Sequence, residues 1–227
     1  MTEAEWLACD DPTPMINFLR GKLDRKLRLV FCASARAVWS LFDRPQLKQA
    51  VEAGERLADG LASSDEIIAI RRSLCPGAHF VGGNLESAAY GAVADGFPVW
   101  TVNAATDLLM GEVFKKAWEE GRRNVPPQTK KLIQREQGKI LHCVMGNPFR
   151  PITFDPAGLP SDALSLAQAA YEERTLPSGE LQPARLAVLS DALEEAGCTD
   201  DAILSHLRSP GPHVRGCWAL DLILGKQ

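Results

Sequence analysis

The sequence predicts an all-α fold, a compact multi-helix bundle of about eight helices with a proline-rich connector. Apolar residues recur at three- and four-residue spacing over most of the 227 residues. The periodic segments are bounded by capping residues or by a stopping glycine. No stretch of any length shows the period-two alternation of a strand.

In "TPMINFLRGK", Thr13 reads as an N-cap and Pro14 as the first helical residue, where a missing backbone N–H does least harm. Asp24 opens the clearest amphipathic helix, "DRKLRLVFCASARAVWSLF", which places Leu27, Val30, Phe31, Ser34, Val38, Leu41 and Phe42 on one face. "RPQLKQAVEAGERLADG" is a further helix stopped by Gly60, and "SSDEIIAIRRSL" opens with serines and acidic residues that suit a helix N-terminus. Between Cys75 and Gly96 the pattern weakens: "CPGAHFVGGN" is turn chemistry and only "LESAAYGAVADG" reads as helix. Two long helical patterns then run from Pro98 to Met145, broken at Pro126-Pro127.

"GNPFRPITFDPAGLP" carries four prolines in fifteen residues and cannot be helical. It divides the chain into an N-terminal helical region (1–146), a connector (147–160) and a C-terminal helical region (161–227) expected to pack as one unit with the first. The last region contains "SDALSLAQAAYEERTL", "PARLAVLSDALEEAG", "TDDAILSHLR" and "HVRGCWALDLILG". The final pair reads as a helical hairpin around a Pro-Gly-Pro turn, with His213 opening the second helix and Cys217 one turn along it.

Composition narrows the function classes. Hydrophobic residues make up 45% and charged residues 24%, as in ordinary globular proteins. No segment reaches the roughly 20 apolar residues of a spanning helix, and the acidic N-terminus lacks the basic and apolar parts of a secretory signal. A cytoplasmic location is expected, with no membrane. The six scattered cysteines are then reduced thiols rather than a disulfide framework. A net charge of −4 argues against nucleic acid, although Arg122-Arg123 and Lys130-Lys131 flank the Pro126-Pro127 turn. Phosphate-cradling glycine loops, nucleophile elbows, His-Glu-x-x-His and Cys-x-x-Cys are all absent.

Taken together, "MTEAEWLACDDPTPMINFLRGKLDRKLRLVFCA", "AVEAGERLADG", "GNPFRP" and "AGCTDDAILSHLRSPGPHVRGCWALDLILGK" resemble a large paralogous family of uncharacterised bacterial all-helical proteins. The resemblance covers both ends and the connector and implies no activity. In that family the first long helix carries extra cysteines and arginines. Here "CASARAVW" keeps only Cys32 and Arg36 of that pattern.

Chemistry concentrates in "CTDDAILSHLRSPGPHVRGCW", residues 198–218. On a helix, Cys198 and His206 stand roughly 12 Å apart along the axis, too far to share one tetrahedral ion. The candidate metal ligands are therefore His206, His213 and Cys217, set against hairpin packing with buried thiols. His213, Cys217 and Asp221 also form an i, i+4, i+8 line, but such a line cannot converge on one atom as a catalytic triad. Asp221 shares an arc with Cys217 and Trp218, so a buried carboxylate needs a donor, and Arg150 of "NPFRP" is the expected partner. Cys32, with Arg28 and Arg36 four residues to either side, is the candidate reactive thiol, against a place in the buried stripe. His142 and Cys143 are adjacent and point apart, so a Cys-His pair there needs another chain segment.

The expected function is a protein–protein interaction or adaptor module, with a protein partner or self-association, on the strength of the aromatic anchors Trp6, Trp39, Trp100 and Trp118. The alternative is a metal- or thiol-dependent role at the C-terminal hairpin, with zinc as the ion. Otherwise no cofactor and no enzymatic activity are expected.

Overall fold

The computed structural model describes residues 1–19, 24–74, 85–94 and 100–226. They form two units, Met1–Leu141 and His142–Gln227. Among the described residues there are twelve α-helices, more than the eight or so expected, and no strand longer than isolated bridges. None of these helices is long and apolar enough to cross a membrane.

In the first unit, α1 (Glu3–Leu7) is closed by a capping box, with Thr2 and Glu5 each accepting from the other's backbone N–H. The next helix, α2 (Pro12–Leu19), begins two residues before the expected Pro14. Asp11 caps it by accepting from Thr13 N at 2.9 Å, and Pro12 takes the first helical position. Asp-Pro thus offers the same chemistry as Thr-Pro two residues earlier, and it wins.

The long amphipathic pattern becomes α3 (Asp24–Arg36) and a short 3-10 turn at Trp39–Leu41. Its apolar face is buried as the periodicity requires, Ser34 included. Helix α4 (Pro45–Ala58) ends at Gly60, φ +71°, where Leu61 N reaches back to Arg56 O and Gly60 N to Leu57 O in a Schellman motif. Ser63 caps α5 (Ser64–Leu74) through Glu66 N, and α6 (Leu85–Tyr90), α7 (Trp100–Glu119) and α8 (Gln128–Met145) follow.

Small side chains let these helices approach closely. The core shared by α3 to α7 is rich in alanine, and a Cβ on Gly54 would sit 2.4 Å from Ala92 O. At its edge Arg36 meets Glu55 in a buried bidentate pair of 2.6 and 2.8 Å, its guanidinium lying 4.7 Å over Trp39.

The second unit takes in the last turn of α8, the connector and four more helices: α9 (Ser161–Glu172), α10 (Pro183–Glu195), α11 (Asp201–Arg208) and α12 (Trp218–Ile223). Within the connector, only Pro156–Gly158 forms a 3-10 turn. Tyr171, fully buried, lies against both the Arg215 guanidinium and the Lys226 ammonium, 4.9 and 4.6 Å from its ring centre.

The start of the last helix differs from the expected one. His213 does not open a helix. The chain from His213 to Gly216 is irregular, Val214 bridges to Glu180, and Gly216 at φ +86° lies outside right-handed helical space. Helix α12 therefore starts at Trp218, with Cys217 as its N-cap residue.

Candidate metal centre

Breaking the expected helix before Cys217 changes the geometry of the whole run. Cys143, His206, His213 and Cys217 come together so that one ligand atom from each lies within 4.8 Å of all the others. Cys143, His213 and Cys217 are buried and His206 is half-buried.

Each side chain is placed by local structure. Cys143 sits in the last turn of α8, which stops at Gly146. His206 sits in the last turn of α11, whose N-terminus is secured by Asp200 accepting from Ala202 N and Ile203 N. His213 follows the Pro-Gly-Pro turn. A Cβ on Gly211 would lie 2.8 Å from His213 N, so only glycine leaves room there. The backbone of His213 is held in turn by Leu181 N, which donates to His213 O at 2.8 Å. Cys217 is fixed by its N–H to Val214 O and by α12 beyond it.

The ring of His213 is oriented for coordination. Its Nε2 lies 2.9 Å from Ser209 O, an acceptor only, so Nε2 carries the proton and donates. That leaves Nδ1 facing Cys143 Sγ at 3.9 Å. Ser209 is held in place by its own hydroxyl, which donates to His206 O at 2.7 Å. A histidine ligand anchored through its far nitrogen to a carbonyl is the usual outer arrangement of a metal site. His206 presents Nε2 to Cys217 Sγ at 3.2 Å, while its ring packs 4.9 Å from that of His213 and 5.1 Å from that of Trp218.

Without an ion, the electrostatics favour a Cys217 thiolate beside a charged His213, whose Nδ1 proton a metal would have to displace. Burial works to raise the Cys217 thiol, yet hydrogen bonding with Cys143, His206 and His213 outweighs it and holds the thiol well below its ordinary range. Burial likewise opposes charge on His213, but the Cys217 and Ser209 contacts raise it above its ordinary value. With bond lengths of about 2.3 Å to sulfur and 2.0–2.1 Å to nitrogen, the ligand atoms of a tetrahedral zinc site lie about 3.3–3.8 Å apart. The His206–Cys217 and Cys143–His213 contacts of 3.2 and 3.9 Å lie close to that range, and with all four atoms within 4.8 Å of one another an ion would need to draw the cluster in only slightly.

The three residues expected to bind metal are therefore gathered, and Cys143 is the fourth. In the sequence Cys143 stands only beside His142, in a Cys-His pair that needs another chain segment, and carries no metal signal. Cys198 lies outside the cluster.

The other candidates lie elsewhere. Cys32 is buried in the core of the first unit, its thiol 3.7 Å from Val51 O. Of its flanking arginines, Arg36 pairs with Glu55 and Arg28 donates to Ala92 O at 2.8 Å. Asp221 is buried in α12, and Arg150 is exposed in the connector. Among the tryptophans, Trp6 is fully buried, Trp39 half-buried and Trp118 74% exposed, while the Trp100 side chain lies outside the described residues. In the basic clusters, Arg122 pairs with Glu120 and Lys130 lies 3.8 Å from Asp107.

No family model, no curated protein and no solved structure matches the chain. The fold and the site define a helical protein with a largely buried two-cysteine, two-histidine cluster.

Proposed function

We propose that the chain is a zinc-binding helical protein whose ion is structural. The convergence of Cys143, His206, His213 and Cys217 within 4.8 Å supports this reading. Two thiolates and two imidazoles suit zinc, and four protein ligands complete a tetrahedron without leaving a position for water or substrate. The ion would tie the end of α8, the end of α11, the 209–217 loop and the start of α12 into one corner. Its binding free energy then becomes folding free energy of the His142–Gln227 unit.

Elemental analysis of protein purified without a histidine tag tests this reading. About one zinc per chain is expected, lost in His213→Ala and Cys143→Ser. Protein that holds no zinc after incubation with the ion would refute it.

A second reading is favoured by Phe114 and Trp118. They stand one turn apart on α7, 53% and 74% exposed. Large aromatic side chains so presented suit an interaction or adaptor module, with the zinc corner as scaffold rather than active site.

A further inference from the structure

We infer that the zinc corner is a thiol redox switch, in which peroxide joins Cys143 to Cys217 and expels the ion. This rests on the zinc reading above. Among the described cysteines, Cys143 and Cys217 alone share a site: Cys9 lies 3.3 Å from Asp11 O, Cys32 lies against Val51 O, and Cys198 is outside the cluster. Their Sγ atoms lie within 4.8 Å of each other, and neighbouring residues of the two segments pack together as well. Gly146, three residues after Cys143, approaches the ring of Trp218, the neighbour of Cys217, so closely that a Cβ would meet it at 3.0 Å.

On zinc the two sulfurs stand about 3.8 Å apart, and a disulfide needs about 2.0 Å. Side-chain rotation at Cys217, which precedes α12 rather than lying inside it, can supply much of that closure. The half-buried His206 is the ligand nearest solvent and gives the oxidant its approach.

The chemistry balances. One zinc-bound thiolate attacks a peroxide oxygen, the O–O bond breaks, and a sulfenic acid forms with release of hydroxide. The second thiolate attacks that sulfur, forming the S–S bond and releasing a second hydroxide. Two protons from solvent convert the hydroxides to water. Two electrons pass from the thiolates to peroxide. A disulfide no longer offers two thiolates, so the zinc leaves to solvent.

The test uses zinc-loaded full-length protein and hydrogen peroxide. A chromogenic zinc chelator reads release of the ion, and mass spectrometry after alkylation maps the cysteines. About one zinc should be released per chain as a Cys143–Cys217 disulfide forms, and dithiothreitol with fresh zinc should restore the starting state. The Cys9→Ser/Cys198→Ser variant, which leaves the site intact, should release zinc at the same rate. Oxidation of other cysteines with zinc retained would overturn the switch and leave the zinc reading standing. Protein that takes up no zinc at the outset would overturn both.

Discussion

Replacing Gly146 by alanine tests how the end of α8 supports the cluster. Gly146 has φ +63°, and a Cβ there would meet Cγ, Cδ2 and Cδ1 of Trp218 at 3.0, 3.2 and 3.3 Å. Gly225 provides the control: it has the same φ, +63°, lies in the same unit, and has nothing within 4 Å of its Cβ position. Left-handed backbone costs an L-residue roughly 1–2 kcal/mol, so Gly225→Ala should lose about that much. At Gly146 the same cost is joined by overpacking against the indole, typically 1–3 kcal/mol, for a total of about 2–5 kcal/mol. The displaced indole is also the ring that packs on His206 and adjoins Cys217. Zinc affinity should therefore fall about tenfold or more in Gly146→Ala and stay unchanged in Gly225→Ala. Urea denaturation followed by circular dichroism, together with chelator competition, reads both quantities. Equal stability losses in the two variants, or unchanged zinc affinity in Gly146→Ala, would refute the reasoning.

Other expectations concern separate parts of the molecule. Truncating Glu55 to alanine leaves the buried Arg36 guanidinium without its bidentate acceptor and should cost about 3–5 kcal/mol in urea denaturation. Replacing both members by apolar residues should cost less than Glu55→Ala alone. Zinc affinity should fall on acidification, because protons compete for Cys143, Cys217 and both histidines; titration at several pH values reads this, and a flat profile would contradict it. In metal-free protein the lowered Cys217 pKa stabilises the fold above the ordinary thiol range, and this contribution is lost as pH falls through the folded value. The raised His213 pKa acts oppositely: it stabilises below 6.5 and is lost as pH rises through the folded value, so urea midpoints should respond at both ends. Trp118→Ala should change the unfolding free energy in urea by no more than about 0.5 kcal/mol, since the ring is 74% exposed. If the α7 face binds a partner, the same variant should weaken that association in light scattering or crosslinking.

Much of the fold was legible because local rules agreed with tertiary ones. Gly60 stops α4, Ser63 opens α5, and the stripe from Leu27 to Ser34 is the buried face of α3, although the helix ends at Arg36 rather than running on to Phe42. The Thr2/Glu5 capping box was equally readable and marks a helix that length alone makes easy to pass over. The start of α12 was not readable in the same way. "HVRGCW" has an acceptable helical period, and only the Val214–Glu180 bridge and the positive φ of Gly216 exclude it. An i, i+4 pair on a helix could also have shared an ion, so the break changed how His213 and Cys217 are presented rather than whether they meet. Cys143 was legible only as an unpaired half. Its contact with His213 spans 70 residues, and no spacing rule reaches that far. The acceptor that fixes the His213 ring, Ser209 O, is a backbone atom and leaves no mark on side-chain pattern.

X-ray absorption at the zinc edge reads the ligand set of the bound ion. Two sulfurs at about 2.3 Å and two imidazole nitrogens at about 2.0–2.1 Å are expected, with one sulfur lost in Cys143→Ser. A shell dominated by oxygen or nitrogen, or one unchanged by that substitution, would contradict that set.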